Sequence, residues 1–291
     1  MKDAIPKANA LIEALGYIQR FAGKIVVVKF GGSLMDDERA IETILTDLVF
    51  MATVGIRPVV IHGGGKEITE ALSEAGIETR FVQGRRYTDQ RTLSIAEHIL
   101  CSKINRRLVD RLNGLGANAM GLHSLSSCVL FGQRMFLNSE DGRRIDVGYV
   151  GRVNKVNSYL LRVLCEAGTI PIIAPIALDQ MGGKLNINAD DAAGEVAASL
   201  KAEKLVVLSD THGIRLTPDN PDSLASALTE RQIKELIDKQ VITAGMLPKV
   251  NACLRAIDAG VHKAHIIDGR LEHSLLLEIY TDKGVGTQIT K

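Results

Sequence analysis

Tryptophan is absent from the 291 residues, and aromatic residues together make up only 4% of them. A chain so poor in rings lacks the stacking platforms that hold single-stranded nucleic acid. Charge of one sign is also missing: 35 Lys and Arg stand against 34 Asp and Glu, for a formal net charge of +1. That balance gives neither the basic footprint of a nucleic-acid binder nor attraction to an anionic membrane surface. Cysteine is sparse. Cys101, Cys128, Cys165 and Cys253 lie far apart with no C-x-x-C pair, so neither a zinc site nor a disulfide framework is indicated. Free thiols in a reducing compartment are expected. No apolar run approaches the ~18 residues of a membrane span. The N-terminal stretch carries Asp3, Glu13 and Arg20 where a signal peptide would be uninterrupted and apolar. These absences point to a cytoplasmic protein with no nucleic-acid or membrane partner. Familiar motifs are missing too: G-x-x-x-x-G-K-[ST] fails because Val60 replaces its first glycine and Glu67 follows Lys66, and neither G-x-G-x-x-G nor H-E-x-x-H occurs.

What is present is an ordinary globular composition, 46% hydrophobic and 24% charged, in one large domain or two tightly joined ones. Leu11, Leu15, Ile18 and Phe21 recur at helical spacing and predict an amphipathic helix over 8–22. Because it precedes the first core strand it is an appendage, whose apolar face must be buried on its own domain or on another subunit. The strand 24–28 then runs into Lys29-Phe30-Gly31-Gly32-Ser33 and a helix over 37–54 with Asp36 or Asp37 as cap. A second strand, 58–61, runs into His62-Gly63-Gly64-Gly65 and a helix over 66–75. The same strand–glycine–helix device used twice places two backbone N–H cradles across one crevice. A long helix is expected over 89–114. Short β segments follow over 118–153, with Asp141-Gly142 as a hairpin signal. Alternation then resumes: helix 157–167, strand 170–174, a helix from Asp190 to about 200, strand 205–208, a loop over 214–227 containing Pro218, helices 230–239 and 247–259, strand 264–267, helix 272–280 and a last strand near 285–290. The expected architecture is α/β: an open, mainly parallel central sheet with helices on both faces, a β-hairpin lid and an N-terminal helical extension. The division is 1–22 as an oligomerisation helix, 23–184 as one lobe and 185–291 as the other.

Glycine loops, lysines and acids at strand ends suit phosphoryl transfer, which needs charge compensation and positioning more than covalent help. Lys29, Asp190 and Lys249 are the candidates, the last just after Pro248 at a helix start. Taken singly, Lys249 could equally be a solvated first-turn residue and Asp190 an acid complementing its helix dipole.

Five stretches occur together: Lys29-Phe30-Gly31-Gly32, His62–Gly65, Gly84-Arg85-Arg86-Tyr87-Thr88, Asn186-Ile187-Asn188-Ala189-Asp190, and Ile242-Thr243-Ala244-Gly245-Met246-Leu247-Pro248-Lys249-Val250. In this order they resemble the amino-acid kinase family from about Ile25 to Thr290. The resemblance implies ATP with Mg2+ as donor and the γ-carboxylate of N-acetyl-L-glutamate as acceptor, in arginine biosynthesis. It implies that Lys29 and Lys249 stabilise the transferred phosphoryl group and that Asp190 holds both lysines. Gly64 and Gly65 would bind the acceptor, with Arg86, Asn186 and Asn188 at its carboxylate end. Gly31, Gly32, Ser209, Asp210 and Gly213 would serve the nucleotide. No resident metal site is implied. Lys29 should then matter for turnover far more than for folding. Thr211-His212 and Cys101-Ser102-Lys103 depart from the family's pattern. Glutamate, aspartate, carbamate or a nucleoside monophosphate as acceptor, and a non-catalytic sensor on the same fold, are the alternatives. In the same family an N-terminal helix marks arginine-inhibited hexamers, trimers of dimers. His265–Arg270 and the segment 278–287, which includes Asp282 and Lys283, resemble their C-terminal signature. Arginine is therefore expected near Tyr17, Lys204, His265, Glu278 and Gly284.

Overall fold

The computed structural model describes residues 4–139, 141–217, 220–242, 245–281 and 284–291. Asp3, Pro218, Thr243, Ala244, Asp282 and Lys283, named above, lie outside them. In order, α1 (Ala4–Phe21), β1 (Ile25–Phe30), a 3-10 turn (Gly32–Asp36), α2 (Glu38–Thr53), β2 (Arg57–His62) and α3 (Gly65–Glu74) build the first part. The two-residue strands β3 (Phe81–Val82) and β4 (Arg85–Arg86) form a small flap. Next, α4 (Gln90–Glu97) passes through a π-helical stretch, His98–Asn105, into α5 (Arg106–Gly114). Then come β5 (Ala119–Leu122), β6 (Leu130–Asn138), β7 (Arg144–Val156), α6 (Ser158–Glu166), β8 (Ile170–Ile173), β9 (Ile176–Leu178) and β10 (Lys184–Ile187). The remainder is α7 (Ala189–Leu200), β11 (Lys204–Ser209), β12 (Ala227–Thr229), α8 (Glu230–Asp238), α9 (Leu247–Asp258), β13 (Lys263–Asp268), α10 (Ser274–Tyr280) and β14 (Thr287–Thr290).

Eight strands form one sheet in the order β12-β14-β13-β11-β1-β2-β8-β5. All neighbours are parallel except β13 and β14. Central β1 is buried along its whole length, as a strand covered on both faces must be. Its alternation decides what each residue meets. Ile25 and Val27 face the core formed with α6, α7 and α9. Val26, Val28 and Phe30 face the core formed with α2, α5, α10 and the π-helical stretch. Lys29, in step with Val27, is thereby aimed at the α7 side. Helix starts are fixed by side-chain caps: Asp37 accepts from Ala40 N at 3.0 Å, Asp89 from Thr92 N at 2.7 Å and Asn157 from Leu160 N at 3.2 Å.

The anticipated hairpin is β6–β7, its turn carried by Gly142 at φ 80°. With β9 and β10 it closes into a four-stranded barrel beside the main sheet. Neither β9 nor β10 was expected, and β12 starts at the last residue of the predicted 214–227 loop. Three- and four-residue strands are too short to show a period. The long helix also differs, because its middle is π-helical. Among its described side chains, helix α1 packs through its last turns. Phe21 is buried and Tyr17 meets Tyr280 edge-on at 6.4 Å, whereas Leu11 and Ile12 are 66% and 70% exposed. Among the described residues no helix is long and apolar enough to cross a membrane.

Candidate active site

β1 and β2 run side by side with Phe30 opposite His62, so both glycine loops leave the sheet at the same edge. The loops touch. Gly63 N–H donates to Phe30 O at 2.8 Å, and a methyl at Gly31 would lie 2.7 Å from Gly63 Cα. Only a residue without a side chain lets the two backbones approach so closely. Gly32 follows at φ 66°, a conformation that L side chains rarely adopt.

The third wall is the start of α7. Asn188 caps it, its side-chain oxygen accepting from Asp190 N at 2.9 Å and Asp191 N at 3.1 Å. Asp190 is thus held in the first turn and meets Lys29 Nζ at 2.8 Å, both side chains 9% exposed. Burial opposes ionisation of Asp190. Lys29, Lys249 and Arg85 outweigh it and hold the carboxyl below the usual range. Lys249 stands in the first turn of α9 with Nζ 3.3 Å from Gly245 O. It forms no ion pair among the described residues, so it reaches Asp190 through the field alone.

Lys29, Gly64, Gly65, Arg86, Asn186 and Asn188 line one cavity of about 230 Å3. Arg86, on the flap, donates to Gly65 O at 2.7 Å and Thr69 Oγ1 at 2.8 Å and stacks 5.0 Å over Phe81. Thr88 Oγ1 donates to Arg86 O at 2.8 Å and accepts from Asn186 Nδ2 at 3.1 Å. Arg86, which lines this cavity together with Arg85, is therefore a preset fork, suited to a carboxylate. Asp191 binds Arg85 of the flap at 2.5 Å and Arg255 of α9, tying flap, α7 and α9 to one carboxylate.

On the other side of the Lys29 loop, Ser33 Oγ donates to Asp210 Oδ2 at 2.8 Å, and this bond holds the Asp210 carboxyl below its usual range. Asp210, His212, Gly213, Ile242, Met246 and Arg270 line a separate groove of about 230 Å3. His212 Nδ1 lies 3.0 Å from the Asp268 carboxylate, which also holds Arg270 at 2.7 Å. Ser209 is buried at the end of β11, and its Oγ donates to Asp210 Oδ1 at 3.3 Å. Sequence reasoning missed Ser33, Thr88, Arg85 and Asp191 as members of the site. Arg85 and Thr88 sat inside a quoted motif; Asp191 gave no signal beyond adjacency to Asp190.

Tyr17, Lys204, His265, Glu278 and Gly284 come together elsewhere, in a cavity of about 830 Å3 at the opposite edge of the sheet. Lys204 begins β11, whereas Ser209 ends it. His265 Nδ1 lies 2.5 Å from Glu278 Oε1, and Val285 N–H donates to Glu278 Oε2 at 2.9 Å. Burial works against charge on Glu278, yet His265, Val285 N–H and Lys204 hold its carboxyl below the usual range. Burial also pulls His265 down, more than Glu278 pulls it up, and takes Lys204 down to about 8.

A sequence model of the amino acid kinase family matches residues 24–268. The acetylglutamate kinase of Trichlorobacter lovleyi is 46% identical over 295 aligned positions that cover 100% of both chains. Among solved structures, N-acetylglutamate synthase from Neisseria gonorrhoeae with coenzyme A and N-acetyl-glutamate superposes with a TM-score of 0.85 at 27% identity, over 98% of this chain and 63% of that one. Its complex with coenzyme A and L-arginine gives 0.81 at 25% identity, over 98% and 65%. Carbamate kinase from Giardia lamblia bound to AMP-PNP shares the fold, with a TM-score of 0.65 at 17% identity over 93% and 99%. A mainly parallel sheet, paired glycine loops and a full-length match to kinases lead to one conclusion: the chain belongs to the amino acid kinase family.

Proposed function

We propose that this kinase transfers the γ-phosphoryl group of ATP to the γ-carboxylate of N-acetyl-L-glutamate, giving ADP and an acyl phosphate. The observation that carries this reading is the buried Lys29–Asp190 pair at the meeting point of two glycine loops, with Arg86 in the same cavity. It is supported by the full-length likeness to acetylglutamate kinases. The acceptor carboxylate is already ionised at neutral pH, so no general base is needed. One of its oxygens attacks the γ-phosphorus as the bond to the ADP oxygen breaks. Negative charge then accumulates between two anions, and Lys29 and Lys249 offset it. Asp190 fixes Lys29 against the loops. Arg86 and Asn186 take the α-carboxylate, with Asn188 holding the α7 start beside them. Gly64 and Gly65 present N–H groups to the acceptor. Gly31, Gly32, Ser209, Asp210 and Gly213 serve the nucleotide. Among the described residues no group of three or more His, Cys, Asp or Glu could cage a metal. Mg2+ fits such a site as an ion carried mainly by the ATP phosphates, whose charge it neutralises. In this reading residues 23–184 form the acceptor lobe and 185–291 the nucleotide lobe of a cytoplasmic enzyme.

The cavity around Glu278 is proposed as a feedback site for arginine, with the guanidinium on Glu278. The synthase that accepts this superposition was solved with L-arginine. The exposed apolar residues of α1 are proposed to join dimers into a hexamer. The deciding experiment is ADP release with N-acetyl-L-glutamate set beside glutamate, aspartate, carbamate and nucleoside monophosphates, with and without arginine. Turnover only with another acceptor refutes the substrate, and no turnover with any of them favours a sensor. Deleting residues 1–22 should abolish hexamers and blunt inhibition; a truncated hexamer with full arginine sensitivity would sink the regulatory part.

A further inference from the structure

Behind the His62–Gly65 loop runs the π-helical stretch His98–Asn105. In an α-helix a residue five positions on is turned about 140° away. Bonding from i to i+5 brings it back over residue i. Leu100, Ile104 and Asn105 are thereby gathered on one side, and all three meet the loop. A methyl at Gly64 would lie 2.9 Å from Leu100 Cδ2 and overlap Ile104 Cδ1. Asn105 Nδ2 lies 2.8 Å from Ile172 O and 3.2 Å from His62 Nε2. His62 Nδ1 lies 3.0 Å from Gly63 O. Asn105 is 1% exposed and His62 not at all.

The donors and acceptors in this chain admit one arrangement. The amide nitrogen only donates, so His62 Nε2 accepts, and the ring proton must sit on Nδ1, from which it donates to Gly63 O. Burial lowers the pKa of His62 to about 4, so the neutral ring persists at pH 7. Gly121 leaves the space that Asn105 Oδ1 fills, since a methyl there would overlap that oxygen.

We propose that Asn105 is a positioning residue for the acceptor: acting through His62 it fixes the Gly63 carbonyl, and the π-turn that carries it sets the place of Gly64 and Gly65. This rests on the reading of that loop as the acceptor half of the crevice. The test compares full-length wild type with Asn105→Ala by hydrogen–deuterium exchange and by kinetics. Amides in 62–65 should exchange at least tenfold faster while those in 29–33 change less than twofold. The KM for N-acetyl-L-glutamate should rise at least tenfold with the KM for ATP within twofold. Equal effects on both loops, or a lower melting temperature with both KM values unchanged, overturn the proposal, because a purely structural amide would give either. Ionised, the isosteric Asn105→Asp only accepts, so at pH 8 15N spectra of labelled histidine should show His62 protonated on Nδ1 in wild type and on Nε2, or on both nitrogens, in the variant. A wild-type His62 protonated on Nε2 alone also overturns it. Should wild type not phosphorylate N-acetyl-L-glutamate, the functional reading falls, and exchange and tautomer still decide this one.

Discussion

Two buried contacts between an acid and a base sit at opposite edges of one sheet. Lys29 and Asp190 meet at 2.8 Å where the strands end; His265 and Glu278 meet at 2.5 Å where they begin. The geometries are alike, and the charges differ. Lys29 brings a full ammonium to Asp190. Burial pulls His265 below its ordinary range, so at pH 7 it meets Glu278 mainly as a neutral ring. The nearby cation, Lys204, is engaged 5.0 Å over the Phe21 ring. The first contact is a finished pair that, in the proposed function, fixes a lysine beside the transferred group. The second leaves a desolvated anion facing a cavity, which is what a guanidinium requires.

The comparison breaks first at Lys29. Lys29→Ala should lower kcat by about 10²–10³, as loss of one transition-state donor does, measured by ADP release. This lysine, expected to matter for turnover far more than for folding, is also a buried ion-pair partner. The same variant should lose about 3–5 kcal/mol in denaturant unfolding, because buried Asp190 loses the one charge in contact with it. Next comes the neutral histidine of the crevice. His62 has a folded pKa of about 4 against an ordinary 6.5, so its stabilising contribution is complete above pH 6.5 and is lost as pH falls towards 4. The loss should be of the order of 3 kcal/mol, read from unfolding curves at stepped pH. A smaller effect is expected at the other edge. Glu278→Gln should raise the arginine concentration for half-inhibition at least tenfold; unchanged inhibition would remove the basis of the contrast. The smallest is a near-absence of change. Because burial pulls His265 below its ordinary range, the ring gains its proton later than a free histidine as pH falls, and half-inhibition at pH 6.5 should lie within twofold of its value at pH 7.5.

Much of this was legible in the sequence because it depends on local chemistry. The strand–glycine–helix device, the caps at Asp37 and Asp89, and the burial of β1 follow from residue type and period alone. The five residues expected around arginine also came together, although α1, β11, β13, α10 and the loop before β14 that supply them are far apart in the chain. What escaped was short or relational. β9, β10 and β12 have too few residues for a period, and the π-turn has no residue signature. The sharing of Asp191 between Arg85 and Arg255 depends on a packing that only three dimensions reveal. Asn188 illustrates the limit. Expected beside Asn186 at the acceptor, it uses its side-chain oxygen to cap α7, which no motif distinguishes from ligand binding.

The contact of Gly31 with Gly63 constrains descent as well as chemistry. Two loops that touch through bare backbone cannot drift separately, since any side chain gained by one is a wedge against the other. New acceptors would have to be recruited by change at the flap and at β10, where Phe81, Arg86 and Asn186 stand on elements outside this contact. The touching pair would persist as a fixed hinge of inheritance, older than whichever acceptor a lineage adopts.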